Sequence, residues 1–110
     1  MADEFTEKNG LFLVAEDKDQ IIGYFRGSID TSPGYVEPKK IGTVYDLLVT
    51  KKYRRQGVGE QLFKEALAWF QNNKIKHIEL NVGARNNPGI QFWRKFGFGD
   101  YKIRMRLDLE

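Results

Sequence analysis

The first half of the chain follows the hydrophobic pattern of β-strands. Residues 11–15 and 21–29 are apolar and rich in residues that favour strands, and four polar residues at 17–20 separate them. Two such runs joined by a short polar turn predict a β-hairpin. Residues 31–40 contain two prolines and a glycine and predict a loop, and residues 41–49 predict a third strand.

The apolar spacing becomes helical after residue 57. Four apolar residues recur at intervals of four and predict the buried stripe of a helix over about 57–73: Val58, Leu62, Ala66 and Phe70. Residues 76–82 alternate again, with apolar side chains on one face and Glu79 and Asn81 on the other. This alternation predicts a fourth strand.

A second helix is predicted to start at Asn87-Pro88, because asparagine is a favoured cap and proline is favoured at the first helical position. Gly97 predicts its end near Phe96. Residues 101–109 alternate charged and apolar side chains and predict a last strand. The predicted order is therefore β-β-β-α-β-α-β, an α/β domain built on a mixed sheet.

The composition indicates a globular protein, with 110 residues of which 41% are hydrophobic and 14% aromatic. This length predicts one domain over residues 1–110. The chain has no cysteine, which excludes disulfides, thiolate metal ligands and a cysteine nucleophile. With no histidine–carboxylate cluster, we predict no metal site. We also predict a cytoplasmic protein with no membrane partner, because no long apolar run or signal-peptide pattern occurs.

The clustered positive charge of the sequence indicates a compact anionic ligand. The net charge is only +3, from 18 Lys and Arg against 15 Asp and Glu, which is weak evidence for a nucleic-acid partner. The position of the positive charges along the chain is more informative. Four basic residues lie within five positions beside two glycines: Lys51, Lys52, Arg54 and Arg55.

Gly57 and Gly59 lie where this basic turn is predicted to become a helix. The first turn of a helix leaves backbone N–H groups without partners, and the helix dipole adds partial positive charge there. Phosphates bind such sites readily, and glycine lets a pyrophosphate approach the backbone closely. Arg54 and Arg55 can add charge-assisted contacts.

Two other phosphate-binding motifs do not fit this turn. A P-loop needs Gly-Lys-Ser or Gly-Lys-Thr, but Glu60 and Gln61 follow Gly59. A dinucleotide fingerprint needs a third glycine where Leu62 stands. On this pattern alone, a turn that binds no ligand remains an equal alternative.

Two motifs, in order and at the right separation, resemble those of the GNAT family of N-acetyltransferases. Arg54-x-x-Gly57-x-Gly59 resembles the family's coenzyme A signature. About thirty residues on, Asn86-x-x-Gly89-x-x-Phe92-Trp93-x-x-Phe96-Gly97-Phe98 resembles its second block. The hairpin is also similar to the family's, so the resemblance covers roughly residues 10–108. It implies the acyl-CoA N-acyltransferase fold, with a mixed and mostly antiparallel sheet.

The resemblance implies acetyl-CoA as co-substrate. The backbone N–H groups from Gln56 to Glu60 would hold the pyrophosphate. The pantetheine arm would lie where two strands part after Val49 and Asn81, and Leu48 and Val49 would contact it through their backbone. The residues implied at the CoA site are Leu48, Val49, Arg54, Arg55, Gln56, Gly57, Val58, Gly59, Glu60, Asn81, Asn86 and Trp93.

The family usually transfers acetyl directly from thioester to amine in a ternary complex, and the absence of cysteine agrees with this. The sequence departs from the family in two places. About ten residues precede Leu11, where the family usually has a strand and two helices, so we expect an N-terminally short member. Trp93 stands where the family often has a tyrosine acid, and an indole N–H donates hydrogen bonds but is no proton-transfer acid at neutral pH.

An amine acceptor must lose a proton before it attacks, so a general base is expected. Asp46 is the main candidate and Tyr45 the second. Alternation along a strand predicts that they point to opposite faces, so that at most one faces the site. Glu79 shares a face of the next strand with Asn81. His77, the only histidine, is expected at the surface.

The sequence therefore predicts an N-acetyltransferase acting on a primary amine of a small-molecule or peptide acceptor, without a covalent intermediate. The alternative is a CoA-binding module, or a degenerate or truncated family member, with little or no turnover. Nucleic-acid binding through residues 51–55 is a weaker hypothesis, because no basic stripe extends the patch. The strand predicted at 101–109 is either an exposed edge or the seam of a homodimer.

Overall fold

The computed structural model describes residues 2–6, 9–32 and 39–110. Within these residues the strands are β1 (Ala2–Thr6), β2 (Gly10–Asp17), β3 (Gln20–Ser32), β4 (Lys39–Val49) and β5 (Ile78–Leu80). The α-helices are α1 (Val58–Asn72) and α2 (Asn87–Lys95), and a short 3-10 helix covers Lys51–Tyr53.

The strands form a sheet in the order β1-β2-β3-β4-β5. The first three pairings are antiparallel, and β5 is parallel to β4. A parallel pair needs a crossover connection, and α1 supplies it. The predicted class, α/β on a mixed and mostly antiparallel sheet, is confirmed.

The hairpin predicted from residues 17–20 is also confirmed. Lys18 and Asp19 have positive φ values of 52° and 64°. Positive φ at both central residues is typical of the type I′ turn, whose twist matches the twist of the strands that it joins.

Helix α1 packs its apolar stripe on one face of the sheet. Leu62, Phe63, Ala66 and Phe70 are buried along it. The ring of Phe25, fully buried on β3, lies 6.4 Å from that of Phe63 and 6.5 Å from that of Phe70. Each buried side chain of this size contributes roughly 1.5–3 kcal/mol, so this contact holds the helix against β3.

Helix α2 begins one residue earlier than predicted. Its cap is Asn86, whose side-chain oxygen accepts a hydrogen bond from the N–H of Gly89 at 3.1 Å. Asn87 is therefore the first helical residue and Pro88 the second. The carboxyl end of α2 carries an aromatic cluster around Phe63, with ring-centroid distances between 4.7 and 5.8 Å to Trp93, Phe96 and Phe98.

The prediction of the strands was wrong at both ends of the chain. Strand β1 pairs with β2 but was not predicted. The strand predicted at 101–109 is absent: these residues have no regular structure and no pairing to the sheet. Alternation shows that a segment can form a strand, but a strand also needs a neighbour for its backbone groups. Of the loop predicted at 31–40, residues 33–38 lie outside the described part.

Gly42 on β4 is expected to be required for this packing. A Cβ built there would lie 2.7 Å from two ring atoms of Phe70, which is fully buried and cannot easily move. Gly42→Ala should therefore lower the free energy of unfolding by about 1–3 kcal/mol. Urea denaturation measures this value.

Gly99→Ala is the matched control, because a Cβ there would meet nothing within 4 Å and should change stability by no more than about 0.5 kcal/mol. Equal stability of the two variants would contradict the close packing of α1 on β4.

Candidate functional site

Strand β4 loses its neighbour on one side halfway along its length. Its pairing with β5 ends at Val44, opposite Leu80, whereas β4 continues to Val49. The strands were expected to part after Val49 and Asn81, so β4 parts from β5 five residues earlier than expected. Within the described residues, β4 therefore has no paired strand on this side beside residues 45–49, and we refer to this unpaired side as the gap.

A β-bulge lies where the two strands part. Arg26 of β3 is opposite Asp46, but the next residue, Gly27, is opposite Val44. Tyr45 is thus the extra residue on β4. A bulge bends its strand and increases the local twist, which explains why β4 turns away from β5 at this point.

The register also decides which backbone groups of β4 face the gap. Thr50 donates its N–H to the carbonyl oxygen of Ile22 at 2.8 Å. Because antiparallel pairing alternates along a strand, Leu48 likewise directs its N–H and C=O toward β3. The backbone groups of Leu47 and Val49 point to the gap. The geometry therefore favours Leu47 over the predicted Leu48 for backbone contacts there, alongside Val49.

The turn after β4 is held by its own side chains. Arg54 Nε donates to the carbonyl oxygen of Val49 at 3.0 Å, and Gln56 Nε2 donates to that of Lys52 at 3.1 Å. Arg55 and Gly57 have positive φ values of 64° and 82°. Glycine adopts this conformation without strain, but arginine does so at a cost. The turn is thus held in this conformation by contacts within the chain.

The first turn of α1 presents unpaired backbone donors. No side chain caps the helix at Gly57, and the first bond to the turn is Gln61 N–H to the Gly57 carbonyl at 3.0 Å. Within the described chain, the N–H groups of Val58, Gly59 and Glu60 thus have no acceptor. Gly57 is left-handed and is followed by a helical residue, an arrangement that makes an anion-binding concavity.

Space and charge at this turn suit a phosphate. A Cβ on Gly57 would meet nothing within 4 Å, so the turn is open at this residue. A Cβ on Gly59 would lie 3.5 Å from the Val49 side chain, so the turn is packed there. Glu60 is the acidic residue of this first turn. Its carboxylate lies 3.5 Å from Lys64 Nζ and 4.0 Å from Lys95 Nζ. These ammonium groups offset its repulsion of an anion.

Tyr45 and Asp46 lie on the same face of the sheet, and the prediction that they point to opposite faces was wrong. Arg26 contacts both: its Nε and Nη2 each lie 2.8 Å from Asp46 Oδ2, and its Cζ lies 5.2 Å from the centroid of the Tyr45 ring. The bulge causes the error, because an extra residue interrupts the alternation of side chains.

Asp30 was not predicted and joins the same face. Its Oδ2 accepts hydrogen bonds from the hydroxyls of Ser28, Thr43 and Tyr45 at 3.0 to 3.1 Å. Three hydroxyls on one carboxylate oxygen fix the position of the Tyr45 side chain. No motif marks Asp30 in the sequence, because only the register of β3 against β4 brings it to these hydroxyls.

The remaining predicted residues lie at different places in the structure. Asn81 is exposed just after β5 ends. The side chain of Asn86 is used as the cap of α2. Trp93 is partly buried, with its ring 5.1 Å from that of Phe63. Glu79 is opposite Thr43 in the parallel register, which places it on the face of Asp30. His77 is exposed, as predicted.

Neither a metal-binding cluster nor a membrane-spanning helix occurs in the described ranges. No group of three or more His, Cys, Asp or Glu side chains is arranged to hold a metal ion there. No helix in those ranges is long and apolar enough to cross a bilayer.

With this geometry in view, a model of the acetyltransferase (GNAT) family matches residues 1–98. The chain belongs to this family, and the resemblance drawn from its two motifs is confirmed.

Individual relatives agree with this assignment. An N-alpha-acetyltransferase of Sulfurisphaera tokodaii is 28% identical over 104 residues, which cover 88% of this chain and 61% of that protein. An uncharacterized N-acetyltransferase of Archaeoglobus fulgidus is 31% identical over 88 residues, covering 79% of this chain and 58% of that protein. The chain thus spans about three fifths of the length of either relative.

A solved structure is similar in fold. A mutant of the BH1408 protein from Bacillus halodurans has a TM-score of 0.86 at 24% identity, and the match covers 94% of this chain and 68% of that one. At this level of identity the likeness shows the fold alone.

Tyr53 anchors the basic turn and gives a pH-dependent test of this contact. Its hydroxyl donates to Asp17 Oδ2 at 2.7 Å. This hydrogen bond, with burial and the Asp17 charge, raises the pKa of Tyr53 above its usual value. The stabilisation is therefore complete below about pH 10, the ordinary tyrosine pKa, and is lost as the pH rises through the raised pKa.

Spectrophotometric titration measures this shift. Subtracting the curve of Tyr53→Phe from that of the unmodified chain isolates the Tyr53 phenol, whose midpoint should lie above about pH 10. Asp17→Asn should lower that midpoint. An unchanged midpoint in Asp17→Asn would contradict the anchoring contact.

Proposed function

We propose that this chain is an acetyl-CoA-dependent N-acetyltransferase domain that moves an acetyl group directly to a primary amine. The observation that carries the proposal is the set of unpaired N–H groups of Val58, Gly59 and Glu60 beside the gap along residues 45–49. Family membership supports the same activity.

The residues at this turn fit the chemistry of CoA. Backbone donors at Val58, Gly59 and Glu60 would bind the pyrophosphate, with the exposed Arg54 and Arg55 adding positive charge. The gap-facing backbone of Leu47 and Val49 offers hydrogen bonds of the kind that a pantetheine amide needs. Acetyl-CoA, when bound, supplies the thioester carbonyl that the amine attacks.

The acceptor amine must reach this site in its neutral form. A lysine-like amine with a pKa near 10.4 costs about 4.6 kcal/mol to deprotonate at pH 7, whereas an α-amine near 7.8 costs only about 1 kcal/mol. We therefore propose a peptide α-amine as the acceptor. The name of the N-alpha-acetyltransferase from Sulfurisphaera tokodaii supports this choice.

Asp46 is the residue that we propose to receive the amine. Arg26 holds its Oδ2 from two nitrogens, which leaves Oδ1 to accept a hydrogen bond or proton from the acceptor. The side chains of Arg26 and Asp46 are each more than a third exposed. Their ion pair therefore contributes only about 0–1 kcal/mol and leaves Asp46 accessible to an acceptor. Tyr45, held by Asp30, would position the amine beside it.

The alternative is a CoA-binding module with little turnover. Two observations favour it: Trp93 stands where the family often has a tyrosine acid, and Arg26 already occupies one oxygen of the candidate base. This alternative shares the CoA site and differs only in the reaction, so binding and turnover are measured separately.

Gly57→Asp should abolish acetyl-CoA binding in calorimetric titration, because it adds a negative charge where the pyrophosphate would bind. A Cβ at Gly57 would meet nothing within 4 Å, and aspartate is among the residues that best tolerate the positive φ of this position, so the fold should persist. Titrations with 3′-dephospho-CoA and ATP show which part of the ligand is recognised.

Gly57→Asn is the matched control. Asparagine has the same size without the charge and is among the residues that tolerate positive φ, so this variant should retain measurable binding. Unchanged affinity in a folded Gly57→Asp variant would contradict the proposed cradle.

Asp46→Asn should lower kcat/KM by about 100-fold or more, as expected for the loss of a general base, while leaving acetyl-CoA affinity unchanged. The assay follows thiol release with two peptides: one with a free α-amine, and one with a blocked N-terminus and a single lysine. The free α-amine should be the better acceptor.

Glu65→Gln, an exposed carboxylate on α1, controls for the loss of one charge and should leave the rate unchanged. Full activity of Asp46→Asn would contradict its assigned role. Tight acetyl-CoA binding without thiol release from either peptide would favour the alternative of a binding module.

A further inference from the structure

The segment that joins β4 to α1, residues 50–57, contains a strained residue. Arg55 has a φ of 64°, and Gly57 follows with a φ of 82°. Glycine adopts positive φ readily because it has no Cβ, but arginine does so at a cost. A strained residue of this kind persists only where the surrounding structure holds it in place. We refer to residues 50–57 as the connecting segment.

The side chain of Arg55 does not provide this constraint. It is exposed, and within the described part of the chain it makes no hydrogen bond, ion pair or ring contact. The conformation of Arg55 must therefore be imposed by the residues on either side of it.

On the side of α1, the connecting segment ends at a position that packing determines. Val58, the first residue of the helix, packs against the hydrophobic core. Leu62 and Phe63 bury the same helix against the sheet. The segment must therefore meet the helix at a fixed point.

On the side of β4, two hydrogen bonds tie the connecting segment to other strands. Thr50 donates its N–H to the carbonyl oxygen of Ile22 at 2.8 Å. Tyr53 packs against the core and donates its hydroxyl to Asp17 Oδ2 at 2.7 Å, in a partly buried position. The other side-chain hydrogen bonds of the segment join residues only four or five positions apart. The contact with Asp17 is therefore the long-range hydrogen bond that lies closest to the strained Arg55.

Asp17 is itself fixed by the sheet. It is the last residue of β2 and is opposite Gln20 of β3 across the hairpin turn. Its hydrogen bond with Tyr53 thus connects the segment to paired strands. With both ends held, the short span from Arg54 to Gly57 can close only through its residues of positive φ.

We propose that Asp17 is a positioning residue for acetyl-CoA, which acts through Tyr53 on the strained Arg55. The two fixed ends keep the open side of Gly57 and the first N–H groups of α1 directed to one place. This inference rests on the proposed function, because it names a residue that sets the affinity of the same site. No anion-binding motif would identify Asp17, since a carboxylate repels a phosphate.

Tyr53→Phe and Asp17→Ala each remove the hydrogen bond, and Tyr53→Phe keeps the packed ring. Either variant should weaken acetyl-CoA binding by about 10-fold in calorimetric titration, because the conformation that binds becomes a minor state. The sign is diagnostic for Asp17→Ala, since loss of a negative charge alone would strengthen the binding of an anion.

Two further variants control for the chemical change. Asp17→Asn keeps an oxygen that can accept the hydrogen bond, and should therefore retain most of the affinity. Tyr101→Phe removes the hydroxyl of an exposed tyrosine, which makes no hydrogen bond within the described residues, and should leave the affinity unchanged.

Substitutions of Arg55 separate positioning from simple stabilisation of the fold. Arg55→Gly and Arg55→Ala remove the same charge, but only glycine relieves the strain. Adding Tyr53→Phe should change the affinity of Arg55→Gly by less than about 2-fold, and should weaken that of Arg55→Ala by about 10-fold again. Equal losses in the two backgrounds would overturn the proposal.

Steady-state kinetics supply a second measurement. Tyr53→Phe should raise KM for acetyl-CoA and leave kcat at saturation unchanged, as expected for a contact that affects binding and not the reaction. If the unmodified chain binds acetyl-CoA and folded Tyr53→Phe binds it equally tightly, this inference is wrong and the proposed function stands. If the unmodified chain binds no acetyl-CoA, the proposed function is contradicted, and this inference with it.

Discussion

The structure depends on one constraint, which is that β4 loses its neighbour after Val44 while its other side stays paired with β3. The bulge at Tyr45 produces this separation and turns the strand. Because the rest of β4 is held by β3 and the following turn is held by Arg54, Gln56 and Tyr53, the gap and the first turn of α1 keep a fixed relation to each other. A long ligand with an anionic end matches this arrangement.

The same bulge also determines the arrangement of polar side chains on the face of the sheet that carries Tyr45 and Asp46. It brings Tyr45 and Asp46 together, where an unbroken strand would separate them, and Arg26 and Asp30 then hold the two side chains from β3. One local irregularity therefore separates β4 from β5, where we propose the cofactor binds, and brings together the polar groups that we propose bind the acceptor. Both halves of the proposed reaction would therefore depend on a single residue of β4.

Local patterns predicted much of this fold from the sequence. Polar residues 17–20 predicted the hairpin, and the spacing of Leu62, Ala66 and Phe70 predicted α1, because turns and helices depend on neighbours in the chain. The features that were missed depend on contacts between strands. The bulge, the position of Asp30 and the residue at which β4 parts from β5 all follow from register, which no short motif encodes. Residues 101–109 were wrongly predicted to be a strand for the same reason, since their alternating pattern does not specify a partner strand.

Amide NMR during titration with acetyl-CoA tests the central claim most directly, because it reports each backbone N–H separately. We expect the largest shift changes at the amides of Val58, Gly59 and Glu60, at the start of α1, and of Leu47 and Val49, along the gap. Small changes at these five amides, with the largest changes elsewhere or none at all, would contradict the claim that the bulge and the helix terminus together form the binding site.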